Sequence, residues 1–566
     1  MNDAELNQWE ECIDTCDEAI IRFDGDINPE SRHQVAAALF GKGEALRSLG
    51  RLQEAMAAYD EVFIRFASAT EPELCEAVSV ALYAKGLTLW RLDRLKEAIG
   101  VYNELITKSG SDIEPSMRSL VALTLSSKGT ILADLDQFEE AINVYDETLA
   151  ILDSVTEPAL HGLAAQTLLS KGTALGKLGR QKEAIILFEE IITKFGSATE
   201  SELRETVASA LFKKGYALDK LGRWEEAVDI YEEVITIFGG ATELALRELV
   251  ASALHNKGYA LYQLGRSEEA VDVYDEVVTT FGSATEPGLR ETVANALFNK
   301  GYALDQLGKF EETLGIYDEV ITMFSSATEP GLREMVANAL YKKGCALGIL
   351  TRWEESVGVY DEVVTKLGDA TKPRPRELIA SVLFEKGYAL DQLGRWEESL
   401  GVYDEVVTKF GGATEPRLRK TVANALFKKG YALDELGRWE ESVDVYGEVV
   451  TCFGSVTEPK LREIVAKSLY NKALALKQLE RLEEAMITFD EVAIGFGDVT
   501  QLELREQVAK ALFNKGIILG RLGHSEMAID VFNEVVTRFG AAPESMLRRV
   551  VAKALINKGK ILTGLE

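Results

Sequence analysis

Cysteine and histidine are scarce in this chain of 566 residues, with 5 and 4 copies respectively. The cysteines are odd in number and widely scattered, so we expect no disulfide framework, and a reducing compartment fits. No histidine has a set of cysteines or carboxylates at ligand spacing beside it, which predicts no metal site and no cofactor. The histidines lie mostly far apart, at His33, His161, His255 and His524.

Long apolar runs and an excess of positive charge are also missing. Nowhere do about 18 uncharged apolar residues follow one another, and the first residues carry no basic segment that leads into an apolar core. Lys and Arg total 62 against 92 Asp and Glu, a formal net charge of -30 that would repel phosphate backbones and anionic lipid. We therefore expect a cytoplasmic protein that binds neither nucleic acid nor membranes.

A Lys-Gly dipeptide recurs at a constant spacing along the whole chain. The step from Gly43 to Gly86 is 43 residues, and it continues without insertion or deletion. One position departs from the pattern, since Ala473 replaces the glycine. The other glycines are Gly129, Gly172, Gly215, Gly258, Gly301, Gly344, Gly387, Gly430, Gly516 and Gly559. A fixed period of this kind indicates one repeat architecture and leaves no room for a separate domain.

Each unit contains two helical patterns. Residues 202–221 carry apolar residues three and four apart, which predicts a helix A, and residues 224–238 repeat the pattern as a helix B. Gly222 between them suits the left-handed turn that ends a helix. One such pair cannot bury its apolar face alone, so neighbouring pairs must stack. We predict an all-α solenoid of antiparallel helix pairs, with a helix-B half-repeat at 1–24, twelve repeats over 25–540 and a terminal capping helix at 541–566.

The segments Gly215-Tyr216-Ala217-Leu218 and Leu221-Gly222-Arg223-Trp224-Glu225-Glu226-Ala227, followed by Tyr231, resemble the tetratricopeptide repeat. Leu211 stands where that family usually has Trp, and the unit is longer than the family's usual one of about 34 residues. The resemblance implies a right-handed superhelix whose helices A line the inner face. It also implies that peptides or partner domains bind on that face.

Cys12 and Cys16 fall at the small and the aromatic positions of the first helix B. This placement favours buried packing thiols over a redox pair.

The lysine before each glycine is matched by a glutamate eighteen residues after the glycine. We predict a ladder of ion pairs between helices A and B, comprising Lys214 with Glu233, Lys257 with Glu276 and Lys386 with Glu405. Loss of one partner from a well-buried pair would cost roughly 3–5 kcal/mol. The alternative is two solvated charges that contribute ~0.5 kcal/mol.

The residue after the glycine and the residue three further on share one face of helix A. Aromatic rings beside carboxylates suit a partner segment that bears Lys or Arg. The alternative is that these residues record recent duplication of the units. The candidate partner-binding residues are Tyr216 with Asp219, Tyr259 with Tyr262, Tyr302 with Asp305, Tyr388 with Asp391, and Tyr431 with Asp434.

Catalytic patterns are missing, and we expect no enzyme activity. Residues 172–177 superficially resemble a phosphate-binding loop, but the spacing is short and Leu178 replaces the required hydroxyl. The first hypothesis is a scaffold or adaptor that binds a protein or peptide. The alternative is a regulatory or sensing arm of a larger signalling or enzymatic assembly. Self-association head to tail is a third hypothesis, because the first helix is acidic and the last is basic.

Overall fold

The structure is a computed structural model that describes residues 3–110, 115–153, 160–367, 373–497 and 500–564. These residues form α-helices and no strands. In chain order the helices are α1 (Asp3–Phe23), α2 (Pro29–Ser48), α3 (Leu52–Phe66), α4 (Pro72–Arg91), α5 (Leu95–Ser109), α6 (Pro115–Asp134), α7 (Phe138–Asp153), α8 (His161–Lys177), α9 (Gln181–Phe195), α10 (Ser201–Lys220), α11 (Trp224–Phe238), α12 (Leu244–Gln263), α13 (Ser267–Phe281), α14 (Pro287–Gln306), α15 (Phe310–Phe324), α16 (Pro330–Ile349), α17 (Trp353–Leu367), α18 (Pro373–Gln392), α19 (Trp396–Phe410), α20 (Pro416–Glu435), α21 (Trp439–Phe453), α22 (Pro459–Gln478), α23 (Leu482–Gly495), α24 (Leu502–Arg521), α25 (Ser525–Phe539) and α26 (Ser545–Thr563).

Even-numbered helices correspond to the predicted helices A, and odd-numbered helices correspond to the predicted helices B. Most A helices have 20 residues and most B helices have 15. Within a hairpin the chain reverses through a left-handed residue, such as Gly222 with φ 72°. The Arg223 backbone N–H then donates to the Leu218 carbonyl over 3.0 Å, which closes the end of α10. The prediction of an all-α chain of antiparallel helix pairs is confirmed.

The repeated glycine allows the two helices of a hairpin to approach closely. A Cβ on Gly215 would lie 2.7 Å from Cε1 of Tyr231, closer than any real contact allows. Tyr231 on α11 is fully buried, and its ring centroid lies 6.0 Å from that of Phe212 on α10. The glycine side of each A helix therefore faces the B helix of its own hairpin.

The chain divides into two compact units, Met1–Val293 and Ala294–Glu566. Successive helices pack against each other from α1 to α13 in the first unit and from α15 to α26 in the second. Successive A helices also contact each other directly, for example α8 with α10 in the first unit and α18 with α20 in the second. Successive B helices do so far less among the described residues. In each unit the A helices therefore lie on the more crowded side of the hairpin row.

The helix expected to form a cap, α26, carries apolar side chains on its surface. Leu555, Ile556 and Leu562 are all exposed, although basic residues accompany them on the same helix. This part of α26 therefore presents both apolar and basic side chains, and its role as a cap stays a prediction. The basic residues are Arg548, Arg549, Lys553 and Lys560.

Candidate partner-binding face

The tyrosines that follow the repeated glycines lie on the A helices and are partly open to solvent. Tyr216 is 46% exposed, Tyr259 is 41% exposed and Tyr431 is 39% exposed. The other predicted aromatic residues of this face are half-buried: Tyr262, Tyr302 and Tyr388. All six rings are thus at least partly accessible to solvent.

A tryptophan from the preceding B helix supports several of these rings edge-on. The ring centroids of Trp224 and Tyr259 lie 6.0 Å apart with an interplanar angle of 77°. Trp396 meets Tyr431 in the same way, at 6.1 Å and 66°. Such edge-to-face pairs stabilise the ring position beyond simple burial. We did not predict this support, although the tryptophan at the first residue of helix B repeats in the sequence.

In the second unit, lysines of the chain itself already occupy the faces of three of these tyrosines. The Lys428 ammonium lies 4.6 Å from the ring centroid of Tyr388 and 5.6 Å from that of Tyr431. Lys342 lies 4.5 Å above Tyr302. The contacts of Lys428 with Tyr388 and of Lys342 with Tyr302 join successive A helices. Part of the attraction expected for a partner's cation is therefore satisfied internally.

Three of the predicted aspartates accept hydrogen bonds from buried tyrosines instead of presenting a free carboxylate to solvent. Asp391 is only 4% exposed, and burial raises its pKa above the ordinary value, as it does for Asp434. Burial raises the pKa of Asp219 to about 6. Asp305 is half-buried. The hydrogen bonds are Tyr231 Oη to Asp219 Oδ2 at 2.6 Å, Tyr403 Oη to Asp391 Oδ2 at 2.8 Å, and Tyr446 Oη to Asp434 Oδ2 at 2.8 Å.

The predicted ladder of Lys–Glu pairs forms with different partners. The predicted acids were Glu233, Glu276 and Glu405, and Glu405 instead pairs with Lys409 at 2.7 Å. The register was wrong because the glycine faces the B helix of its own hairpin. The residue before it is rotated by about 100° toward the preceding B helix. The observed pairs are Lys214 with Glu189 at 3.0 Å, Lys257 with Glu232 at 2.5 Å and Lys386 with Asp361 at 2.6 Å.

The two neighbouring cysteines of α1 are free thiols and half-buried. Burial, with a smaller effect of Cys12, raises the pKa of Cys16 to about 11. Cys16 therefore stays protonated at neutral pH, which suits a packing residue better than a redox nucleophile.

No group of three or more His, Cys, Asp or Glu side chains that could hold a metal ion occurs within the described ranges. Among the helices that the structure describes, none combines the length and the apolar character that crossing a bilayer requires.

Four family models, each described as a tetratricopeptide repeat, match separate stretches of the chain. They cover residues 30–69, 206–283, 424–451, 466–493 and 509–539. Each matched stretch contains a hairpin with the buried aromatic residue and the left-handed turn, and all but the stretch 466–493 carry the repeated glycine. The chain therefore contains tetratricopeptide repeats.

Several solved structures are similar to this chain. The apo form of RapI is 13% identical with a TM-score of 0.40, and the match covers 63% of this chain and 99% of that one. The apo form of the quorum sensor NprR from B. thuringiensis is 14% identical with a TM-score of 0.38, covering 64% and 98%. A putative kinesin light chain of Podosopora anserina with nearly identical repeats is 15% identical with a TM-score of 0.31, covering 36% and 96%. No curated protein matches.

Proposed function

We propose that this chain is a non-catalytic scaffold that binds a protein or peptide partner along its A helices. The observation that carries the proposal is the row of exposed tyrosines on those helices, Tyr216 and Tyr259 in the first unit and Tyr431 in the second. The hairpin packing uses the other sides of the A helices for the core. The tyrosine side is therefore the surface that remains available for contacts.

The chemistry of the face favours a partner that inserts cationic or apolar side chains between the rings. A tyrosine ring offers apolar area and a negative π face, and Lys342 and Lys428 show within the chain that this face attracts an ammonium group. No cation of the described residues is recorded over the ring of Tyr259, which Trp224 holds edge-on. Within the first unit, the ring face of Tyr259 is therefore the position best suited to a cation–π contact with a partner's Lys or Arg.

The test is affinity purification of the full chain with quantitative mass spectrometry of what is captured. Tyr259→Ser and Tyr431→Ser should each reduce capture of a shared partner by at least tenfold. Ile237→Ser is the matched control, because Ile237 is a large apolar residue on the B helix α11 and is 53% exposed. Equal loss with Ile237→Ser, or no loss with the tyrosine variants at unchanged melting temperature, would overturn the proposal.

A further inference from the structure

A cavity of about 470 Å³ in the first unit brings three lysines together. Lys177 at the end of α8 and Lys220 at the end of α10 are exposed, and Lys213 on α10 is half-buried. The Lys220 ammonium lies 4.9 Å from the ring centroid of Tyr216, which also lines the cavity. The three lysines therefore line one opening, together with the exposed Tyr216.

No carboxylate lines this cavity. Gly176 occupies the position that Asp219 occupies one repeat later. The aspartate side chain and its negative charge are therefore missing at Gly176. Phe188 correspondingly replaces the tyrosine that would need the carboxylate as an acceptor. No ion pair is recorded for any of the three lysines in the described residues. Burial and the charge of Lys177 lower the pKa of Lys213, as expected of a cation without a counter-ion.

The coincidence of three lysines occurs at one place in the array. One repeat further on, the equivalent residues are Lys220, Asn256 and Gln263. One repeat earlier they are Asp134, Ser170 and Lys177. At every other step along the sequence at most one of the three positions is basic. Copying of whole units would have spread the triad to its neighbours, so duplication does not explain it.

We propose that the cavity lined by Lys177, Lys213 and Lys220 binds a phosphorylated side chain of the partner protein. A phosphate monoester carries a charge of about −1.5 to −2 and three acceptor oxygens, which matches three ammonium groups better than one carboxylate does. The proposal rests on the proposed function, because it places the phosphate on the tyrosine face. The net charge of -30 disfavours phosphate over most of the remaining surface.

The experiment is isothermal titration calorimetry on the full chain at low salt. The probes are the capped amide of phosphoserine, the capped amides of serine and glutamate, and inorganic phosphate. The phosphoserine amide should bind saturably and at least tenfold more tightly than the other probes. The reason is that it contacts the three lysine ammonium groups and the ring of Tyr216 at the same time. Lys213→Met should weaken its binding at least tenfold. Lys342→Met is the matched control, since Lys342 occupies the same repeat position beside Gln306 and Ile349, and it should leave binding unchanged.

Equal affinity for the glutamate amide or for inorganic phosphate would overturn the proposal, as would a Lys213→Met chain that binds like the original. This test is independent of partner capture. Phosphoserine binding with no effect of Tyr259→Ser on capture would reject the proposed function alone. Loss of capture in Tyr259→Ser with no phosphoserine binding would reject only the phosphate site.

Discussion

Lys386 Nζ on α18 lies 2.6 Å from Asp361 Oδ1 on α17, the B helix of the preceding hairpin. The same contact recurs within both units and ties most of the A helices to the hairpin before them. The lysines are mostly shielded from water, whereas the acids are about half exposed. The further pairs are Lys42–Asp17, Lys85–Asp60, Lys171–Asp146, Lys214–Glu189, Lys257–Glu232, Lys343–Asp318, Lys429–Asp404 and Lys515–Asp490.

Lys386→Met should lower the free energy of unfolding by ~1 kcal/mol, because one half-exposed acid loses its partner. Lys472→Met is the control, since Gly447 occupies the position of the acid there and no ion pair of this kind is lost. Urea denaturation of both variants measures the difference. If both variants lose the same free energy of unfolding, the stability comes from packing of the aliphatic part of the lysine and not from the ion pair.

The helix pairs could be predicted from the sequence, but the partners of these lysines could not. Apolar spacing and Gly222 define α10 and α11 to within one residue, because periodicity and the turn residue act locally. The partner of Lys257 depends on how far α12 is rotated between two B helices. A constant 43-residue period places Glu232 and Glu276 at equally regular distances, so spacing alone cannot choose between them.

Gly387→Ala should destabilise the second unit by roughly 1–3 kcal/mol, because the new Cβ would lie 2.5 Å from Cε1 of Tyr403. Gly401→Ala should stabilise it by up to about 1 kcal/mol, because that helical glycine on α19 has open space around it. Ala473 is tolerated opposite Phe489, which has no hydroxyl to anchor its ring, so Tyr403→Phe should recover part of the loss. Denaturation midpoints that shift in the same direction for both alanine variants would contradict this packing account.

Asp219→Asn should make the chain more stable at pH 7 and leave it nearly unchanged near pH 4. The folded chain keeps Asp219 protonated up to a pKa of about 6, whereas an ordinary aspartate titrates near 3.8. The folded state therefore binds more protons between these values, and stability falls as the pH rises through them. The expected gain is on the order of 1 kcal/mol at pH 7, after a discount for solvent screening.

The pH dependence is measured as the difference between the Asp219→Asn and original denaturation midpoints at several pH values from 4 to 7. Asp391 and Asp434 titrate in both chains and cancel in the difference. A gap that stays constant over this range would show that Asp219 is ionised with an ordinary pKa in the folded protein.

Cys452 should react with a thiol reagent well before Cys16 at pH 7.5. Cys452 is exposed, whereas burial keeps Cys16 as a thiol with a pKa of about 11. The thiolate is the reactive form, so the labelling rates should differ by at least tenfold. Mass spectrometry of partly labelled chains gives the order. Cys16 labelled first would indicate a reactive thiol pair in α1.

The candidate face was only partly predictable. Tyr216 and Tyr259 could be placed on the exposed side of helix A because their distance from the glycine fixes their direction. The role of Asp219 could not be predicted, because it depends on a hydrogen bond from the hydroxyl of Tyr231, which lies twelve residues later on the other helix. The lysine triad was not predicted either, although its signal is present in the sequence. That signal is a set of charged residues that breaks the repeat at one position.

Hydroxyl-radical footprinting of the full chain, with and without a captured partner, tests the central claim most directly. Oxidation reports the solvent access of individual side chains, and both faces carry reactive residues. The account predicts that the partner slows oxidation of Tyr216, Tyr259 or Tyr431, while Ile64, Ile237 and Ile487 on the B helices react as before. Protection of those isoleucines with unchanged tyrosines would place the partner on the opposite face and contradict the account.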